Sequence, residues 1–294
     1  MEVESSTKVE KPIIENSEYD TRMYGYDENK LEAAKSQKLW MKDPKYFKRV
    51  KISPSATIKM MAHAQSGVDK GIKKGGNPIE VMGLLLGRLD VDDPNAFIVS
   101  DIFPVPAEGF ETTVVTDNEE VMNYMLEVRD IAELSRKENI FGWYHTHPFD
   151  YDPSSATGHC FLSNTDVTTQ LQWQRMEDSQ GGTPWLAIVI DPLRSIAKGK
   201  PELAAFRVYP PEYEPLDNET PDGKIVVDKA VREKLWGNCW RRYYKLEVQY
   251  FMSTLAQQTF RILVKTQKRN QSVFLILLFF VSLSSSILSL FLIL

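Results

Sequence analysis

The fold class is decided by residues 141–191, which read FGWYHTHPFDYDPSSATGHCFLSNTDVTTQLQWQRMEDSQGGTPWLAIVID. Residues 141–147 and 185–191 have the character of strands, and residues 165–176 between them have the spacing of a helix. Strands that alternate with helices are typical of an α/β sheet. The segment therefore predicts a strand–helix–strand unit of an α/β protein.

The stretches on either side predict further elements of both kinds. Ser53 followed by Pro54 predicts a helix start, because Ser caps free N–H groups and Pro fits the first helical position. Residues 228–265 are rich in aromatics and predict two helices interrupted near Gly237. The other predicted elements are strands at 79–89, 96–105 and 203–209 and an amphipathic helix at 117–138.

Changes in composition divide the chain into five segments. Residues 1–43 are dense in charged residues and bury too little apolar surface to fold alone, which predicts a disordered arm. The segments that follow are a main domain at 44–212, an acidic loop at 213–227, helices at 228–270 and a hydrophobic tail at 271–294.

The charge balance and the cysteines exclude some classes of protein. Lys and Arg number 35 against 40 Asp and Glu, so the formal charge is −5, which argues against a nucleic-acid partner bound through bulk positive charge. The two cysteines, Cys160 and Cys239, cannot supply a disulfide framework, and no N-terminal stretch resembles a signal peptide. The body of the chain is therefore expected in the cytoplasm or the nucleus.

The last 23 residues, 272–294, carry no charge, and 17 of them are apolar. As a helix with a rise of about 1.5 Å per residue they would span roughly 34 Å, enough to cross a bilayer core. Lys265, Lys268 and Arg269 precede them, as expected if the N-terminal side stays in the cytosol. Physics alone predicts a membrane anchor here.

A metal site is predicted from His145, His147 and Asp166. The histidines lie two residues apart on a predicted strand, so both side chains project from one face and can converge on one ion. Asp166 follows on the first turn of the next helix and supplies a carboxylate. Glu80 is a candidate general base, because a carboxylate has no packing reason to open so apolar a strand.

Each of these signals also has a simpler interpretation. A His-x-His pair on a strand can be two surface or core polar residues, and Glu80 can be a charge at a strand edge. Ser163 and Asp166 fit a helix capping box, in which each side chain bonds the backbone of the other residue.

Three segments together resemble a known family. They are GWYHTHP from Gly142, LSNTDVTTQ from Leu162 and IEVMGLLLGRLD from Ile79. In order they resemble the Glu, His-x-His-Pro and Ser-x-x-Asp elements of the JAMM metalloprotease motif in MPN-domain proteins. The resemblance implies an MPN fold, similar to that of cytidine deaminases, with a mixed sheet flanked by helices and a C-terminal helical extension. It predicts further helices, and no membrane anchor, in the tail.

The resemblance also implies roles for residues. His145, His147 and Asp166 would hold Zn²⁺, Glu80 would take a proton from water and return it to the leaving amine, and Ser163 would donate to the oxyanion. The reaction implied is hydrolysis of the isopeptide bond between a ubiquitin-like modifier and a lysine.

Other stretches suggest a branch of the family. DPKYFKRVKIS at 43–53, PAEGFETTV at 106–114 and RYYKLEVQYF at 242–251 look more like the catalytic subunits of the COP9 signalosome than the deubiquitinases of the proteasome lid. That branch implies removal of NEDD8 from cullins in a complex with other signalosome subunits, including a second MPN subunit. A deubiquitinase, or an inactive MPN scaffold, is the alternative.

The chain departs from the family pattern between His147 and Asp166. Here 18 residues separate them, more than in the family, and the surplus lies within 149–160. A polar loop can lengthen at little cost in free energy without moving its ends, so Asp166 stays the predicted ligand. Asp150, three residues after His147, is the alternative ligand. Glu111 matches a loop carboxylate that in the family can approach the zinc and hold the subunit inactive.

Overall fold

The computed structural model describes residues 23–106, 119–136, 138–149, 158–181 and 183–266. Seven strands form one sheet: β1 (Arg49–Ile52), β2 (Met82–Leu89), β3 (Ala96–Pro104), β4 (Asn139–Thr146), β5 (Leu186–Ile190), β6 (Leu203–Val208) and β7 (Tyr243–Tyr250). The described helices are α1 (Glu28–Gln37), α2 (Pro54–Lys73), α3 (Glu119–Arg136), α4 (Asn164–Met176), α5 (Pro192–Lys198), α6 (Lys229–Trp236) and α7 (Thr254–Thr266).

The sheet is mixed and closes into a barrel. Its strand order is β1-β3-β2-β4-β5-β6-β7, and β7 pairs back onto β1. The pairs β1–β3, β1–β7 and β4–β5 are parallel, and the other four are antiparallel. The predicted α/β fold with a mixed sheet flanked by helices is confirmed, while the closure of the sheet was not predicted.

Strand β4 contains His145 as its penultimate residue, and His147 directly follows its end. Antiparallel β2 flanks it on one side and parallel β5, buried at every position, flanks it on the other. Gly142 permits this packing, because a Cβ there would lie 2.3 Å from the Leu186 carbonyl oxygen. The end of β4 is therefore held on both sides, which gives the histidines a rigid base.

The prediction of two helices over 228–265 is wrong in its centre. Residues 243–250 form strand β7, which pairs with β6 and β1 and completes the barrel. Leu246 is fully buried whereas Lys245 and Glu247 beside it are exposed, which is the period of two expected of a strand. The predicted end of the main domain at 212 is therefore too early, because β7 belongs to the same sheet.

The prediction of a disordered arm over 1–43 is wrong for residues 23–43. This segment contains α1, capped by Asp27, and buries Met23, Leu31 and Trp40. The buried Arg88 guanidinium donates to the carbonyl oxygens of Met23 and Gly25, at 3.0 and 3.2 Å. A few apolar contacts and one buried cation thus attach a charged segment to the barrel.

No helix within the described ranges is long and apolar enough to cross a membrane. The predicted tail at 271–294 lies outside the described residues, so the prediction of an anchor there stays a prediction.

Candidate metal centre

The end of β4 brings two imidazole rings together. His145 and His147 are 4% and 2% exposed, and their Nε2 atoms lie 3.1 Å apart. Thr146 between them points to the other face, where its Oγ1 accepts a hydrogen bond from Val81 N. The strand period therefore places both histidines on one side of the sheet, as predicted.

Helix α4 supplies a carboxylate to the same point. Asp166, 2% exposed, places Oδ1 3.2 Å from His145 Nε2 and Oδ2 3.4 Å from His147 Nε2. The capping box is present as well, because Ser163 N donates to Asp166 Oδ2 at 2.7 Å and Asp166 N donates to Ser163 Oγ at 3.2 Å. The cap and the approach to the histidines coexist, since a carboxylate has lone pairs for both.

These three side chains form a group that could hold a metal ion. The distances between their nearest atoms are 3.1, 3.2 and 3.4 Å. In a tetrahedral zinc site with bonds of about 2.0–2.1 Å, neighbouring ligand atoms lie about 3.3 Å apart. Two imidazoles and one carboxylate are also a ligand set used by catalytic zinc sites. The residues therefore fit a zinc ion in spacing and in chemistry.

The charge of the group also suits a cation. Burial raises the pKa of Asp166, but His145 and then His147 beside it lower the pKa more, so the balance falls well below the usual range of a carboxyl. Asp166 is therefore ionised at neutral pH and ready to act as a ligand.

His147 is oriented by a hydrogen bond to its other nitrogen. Its Nδ1 lies 2.8 Å from the carbonyl oxygen of His159, which leaves Nε2 with its lone pair toward the group. His159 N in turn donates to Asp191 Oδ2 at 3.1 Å, and Asp191 caps α5 through Arg194 N. The far end of the longer loop at 149–160 is thus attached to the body of the domain and to a predicted ligand.

Glu80 lies just before β2 and is half-buried. Met82 is opposite His145 in the register, and Thr146 N donates to the Val81 carbonyl oxygen. Continuing this register by one residue places Glu80 beside His147, on the same face as both histidines. The predicted strand start at 79 is slightly early, but the predicted position next to the group agrees with the register.

Two predicted residues lie outside the described ranges. They are Asp150, the alternative ligand, and Glu111, the loop carboxylate. His159 lies in the described part of the chain, and its ring is not one of the three side chains of the metal group. Its Nδ1 lies 3.6 Å from Asp191 Oδ2.

Cys160 does not have the environment of a nucleophile. Burial, and then the charge of Asp191, raise the pKa of its thiol to about 12, so almost no thiolate exists at pH 7.

We expect iodoacetamide to label the partly exposed Cys239 before the buried Cys160 in the folded protein, and to label both after denaturation. Peptide mass spectrometry over a time course measures this, and preferential labelling of Cys160 in the folded state would contradict it.

Two residues of the site were not predicted. Trp143 stacks on His145, with centroids 4.5 Å apart and planes inclined by 11°, and its Nε1 donates to Gln170 Oε1 at 2.8 Å. The sequence holds a signal for both. Trp143 lies two residues before His145 on the strand, and Gln170 lies four residues after Asp166 on the helix, so each shares a face with a predicted ligand.

Comparison with known proteins agrees with this geometry. Residues 45–179 match the family described as JAB1/Mov34/MPN/PAD-1 ubiquitin protease. The chain contains a domain of the JAB1/MPN family. This confirms the resemblance to MPN-domain proteins. The matched range includes the five predicted motif residues, which are Glu80, His145, His147, Ser163 and Asp166.

The chain is also similar to proteins named COP9 signalosome complex subunit 5. It is 39% identical to that of Dictyostelium discoideum over 247 residues, covering 83% of this chain and 65% of the relative. It is 37% identical to that of Yarrowia lipolytica over 243 residues, with 82% and 61% covered. For Caenorhabditis elegans the identity is 39% over 235 residues, with 79% and 56% covered. The chain thus spans about three fifths of the length of these relatives.

Proposed function

We propose that this protein is a zinc-dependent isopeptidase that hydrolyses the bond between NEDD8 and cullin lysines as the catalytic subunit of a COP9 signalosome. The observation that carries the proposal is the buried group of His145, His147 and Asp166, whose ligand atoms lie 3.1 to 3.4 Å apart. The similarity to signalosome subunit 5 supports the choice of modifier and of partners, which would include a second MPN subunit.

In the proposed reaction zinc, when bound to His145, His147 and Asp166, supplies a Lewis acid that lowers the pKa of water toward neutrality. The Glu80 carboxylate, beside His147 in the register, accepts a proton from the attacking water and returns it to the lysine amine as the isopeptide bond breaks. The buried rings of His145 and His147 exclude bulk water, which strengthens these electrostatic interactions.

Ser163 has a hydroxyl proton to donate in this reaction. Its Oγ accepts from Asp166 N, and a hydroxyl carries one proton besides its two lone pairs. That proton can stabilise the negative oxygen that develops on the substrate carbonyl. The same side chain would therefore cap α4 and act on the substrate.

Replacing Ser163 with alanine is expected to have two separable effects. Loss of the cap lowers the free energy of unfolding by about 1 kcal/mol, and loss of the donor lowers kcat by about 10²–10³-fold. Asp228→Ala is the matched control, because Asp228 caps a different helix, α6, through Ala230 N and Val231 N. It should lose comparable stability and keep its kcat. Equal kcat losses in the two variants would contradict the role of Ser163.

A deubiquitinase with the same chemistry is the second candidate, because the matched family is described as a ubiquitin protease. Cleavage of NEDD8-linked cullin and of ubiquitin-linked substrates should be compared after assembly of the full chain with signalosome subunits. The proposal predicts faster cleavage of the NEDD8 substrate, and it places the protein in the cytoplasm and the nucleus. Exclusive cleavage of ubiquitin would contradict it, and absence of zinc and of both activities would favour an inactive scaffold.

A further inference from the structure

The two histidines of the metal centre are held in different ways. His147 has the outer hydrogen bond that is usual for a metal-ligating histidine, through Nδ1 to the His159 carbonyl oxygen. His145 Nδ1 is buried, and no hydrogen-bond partner for it is found among the described residues. Within the described part of the chain, the His145 ring is therefore oriented by packing rather than by a hydrogen bond to Nδ1.

Trp143 is the group that contacts the face of that ring. The two rings are almost parallel, inclined by 11° with centroids 4.5 Å apart, so the indole limits rotation of the imidazole. The indole itself is 7% exposed, and its Nε1 donates to Gln170 Oε1 at 2.8 Å. A tilt of the indole would break this hydrogen bond.

Gln170 is fixed in turn by the rest of its amide. Its Nε2 donates to the Trp185 carbonyl oxygen at 3.0 Å and to Gln174 Oε1 at 3.2 Å, and the side chain is fully buried. Gln170 lies one helical turn after Asp166 on α4. The same amide therefore connects this helix to Trp143 on β4 and to Trp185, the residue before β5.

We infer that Gln170 and Trp143 are positioning residues, which set the His145 ring and the spacing between α4 and β4 for metal binding. The indole–amide pair takes the place of an outer hydrogen bond, which the described residues do not offer to His145 Nδ1. This inference rests on the proposed metal site and adds to it the means by which one ligand is oriented.

The test uses Co²⁺ as the probe in the full chain, because its visible absorption reports the geometry of the ligands. Gln170→Met keeps the size of the side chain and removes the acceptor of the indole N–H. It should weaken Co²⁺ and Zn²⁺ binding by about 10–100-fold, measured by chelator competition, and shift the Co²⁺ spectrum. Thr57→Val is the control, since Thr57 is a buried polar residue of α2 whose Oγ1 donates to the Ser53 carbonyl oxygen at 2.9 Å, outside the hydrogen-bond network of Gln170. It should lower the midpoint of thermal unfolding and leave the spectrum unchanged.

Trp143→Phe breaks the same hydrogen bond from the strand side and keeps a ring against His145. It should weaken Co²⁺ binding as Gln170→Met does, and the double variant should be no weaker than the single ones, because both remove one bond. Additive losses, or a Gln170→Met spectrum identical to that of Thr57→Val, would overturn the positioning role alone. If the unmodified chain binds no Co²⁺, both the metal site and this inference are overturned.

Discussion

Replacing His147 with alanine is expected to abolish both zinc binding and isopeptidase activity. Three buried ligands are the minimum for a catalytic zinc site that leaves a position for water, and the loss of one leaves only His145 and Asp166. The unmodified chain should hold about one zinc, and added zinc should raise its midpoint of thermal unfolding, since a metal that binds only the folded state stabilises it. The variant should hold almost none and show no such shift.

His63→Ala is the matched control for this experiment. His63 is a half-buried histidine on α2 whose Nδ1 contacts the Tyr144 hydroxyl at 2.9 Å, and it lies outside the metal group. Its removal should leave the zinc content unchanged, as measured by elemental analysis of the purified proteins. A His147→Ala variant that retains stoichiometric zinc would contradict the assignment of the ligand.

Replacing Glu80 with glutamine is expected to separate chemistry from metal binding. The substitution keeps the size of the side chain and removes its ability to accept a proton, so kcat should fall by about 10²–10⁴-fold. Zinc content should stay the same, because Glu80 acts on the proton and not as a ligand. Single-turnover cleavage of a NEDD8-linked cullin by the assembled complex, with zinc measured on the same samples, gives both quantities.

Glu212→Gln serves as the control for charge, because Glu212 is an exposed carboxylate whose nearest ion pair, with Arg175, is 4.0 Å long. It should retain full activity. Unchanged kcat in Glu80→Gln would refute a general base at this position, and loss of zinc from this variant would show that Glu80 is instead needed to bind the metal.

The metal group could be predicted from the sequence because two local periods determine most of it. A period of two places His145 and His147 on one face of a strand, and the capping position places Asp166 on the first turn of the next helix. The longer loop at 149–160 does not separate these residues, because His159 at its far end is hydrogen-bonded to His147 and to Asp191. The family match over 45–179 supports the same group.

The barrel closure could not be predicted in the same way. Strand β7 is stabilised by pairing with β1, where Glu247 is opposite Arg49, almost two hundred residues earlier in the chain. Its aromatics Tyr243, Tyr244 and Tyr250 also occur at spacings that suit a helix, so the local pattern was ambiguous. The pairing of β7 with β1 determines that the segment is a strand and not a helix. The local sequence pattern carries no information on a partner so far away in the chain.

The support behind the ligands was missed for a related reason. Gln170 and Gln174 follow Asp166 at intervals of four, so one face of α4 carries a polar stripe that is buried against the sheet. Polar residues on a helix usually mark its solvent face. This stripe is buried because its amides form hydrogen bonds with Trp143, Trp185 and Val208, which the sequence alone does not place beside the helix.

The zinc content of Asp166→Ala compared with that of Asp150→Ala tests the central claim most directly, because these two carboxylates compete for the role of third ligand. Elemental analysis of the purified full chain should find zinc lost from Asp166→Ala and retained at about one per chain in Asp150→Ala. Zinc retained in Asp166→Ala and lost from Asp150→Ala would contradict the claim that His145, His147 and Asp166 hold the metal.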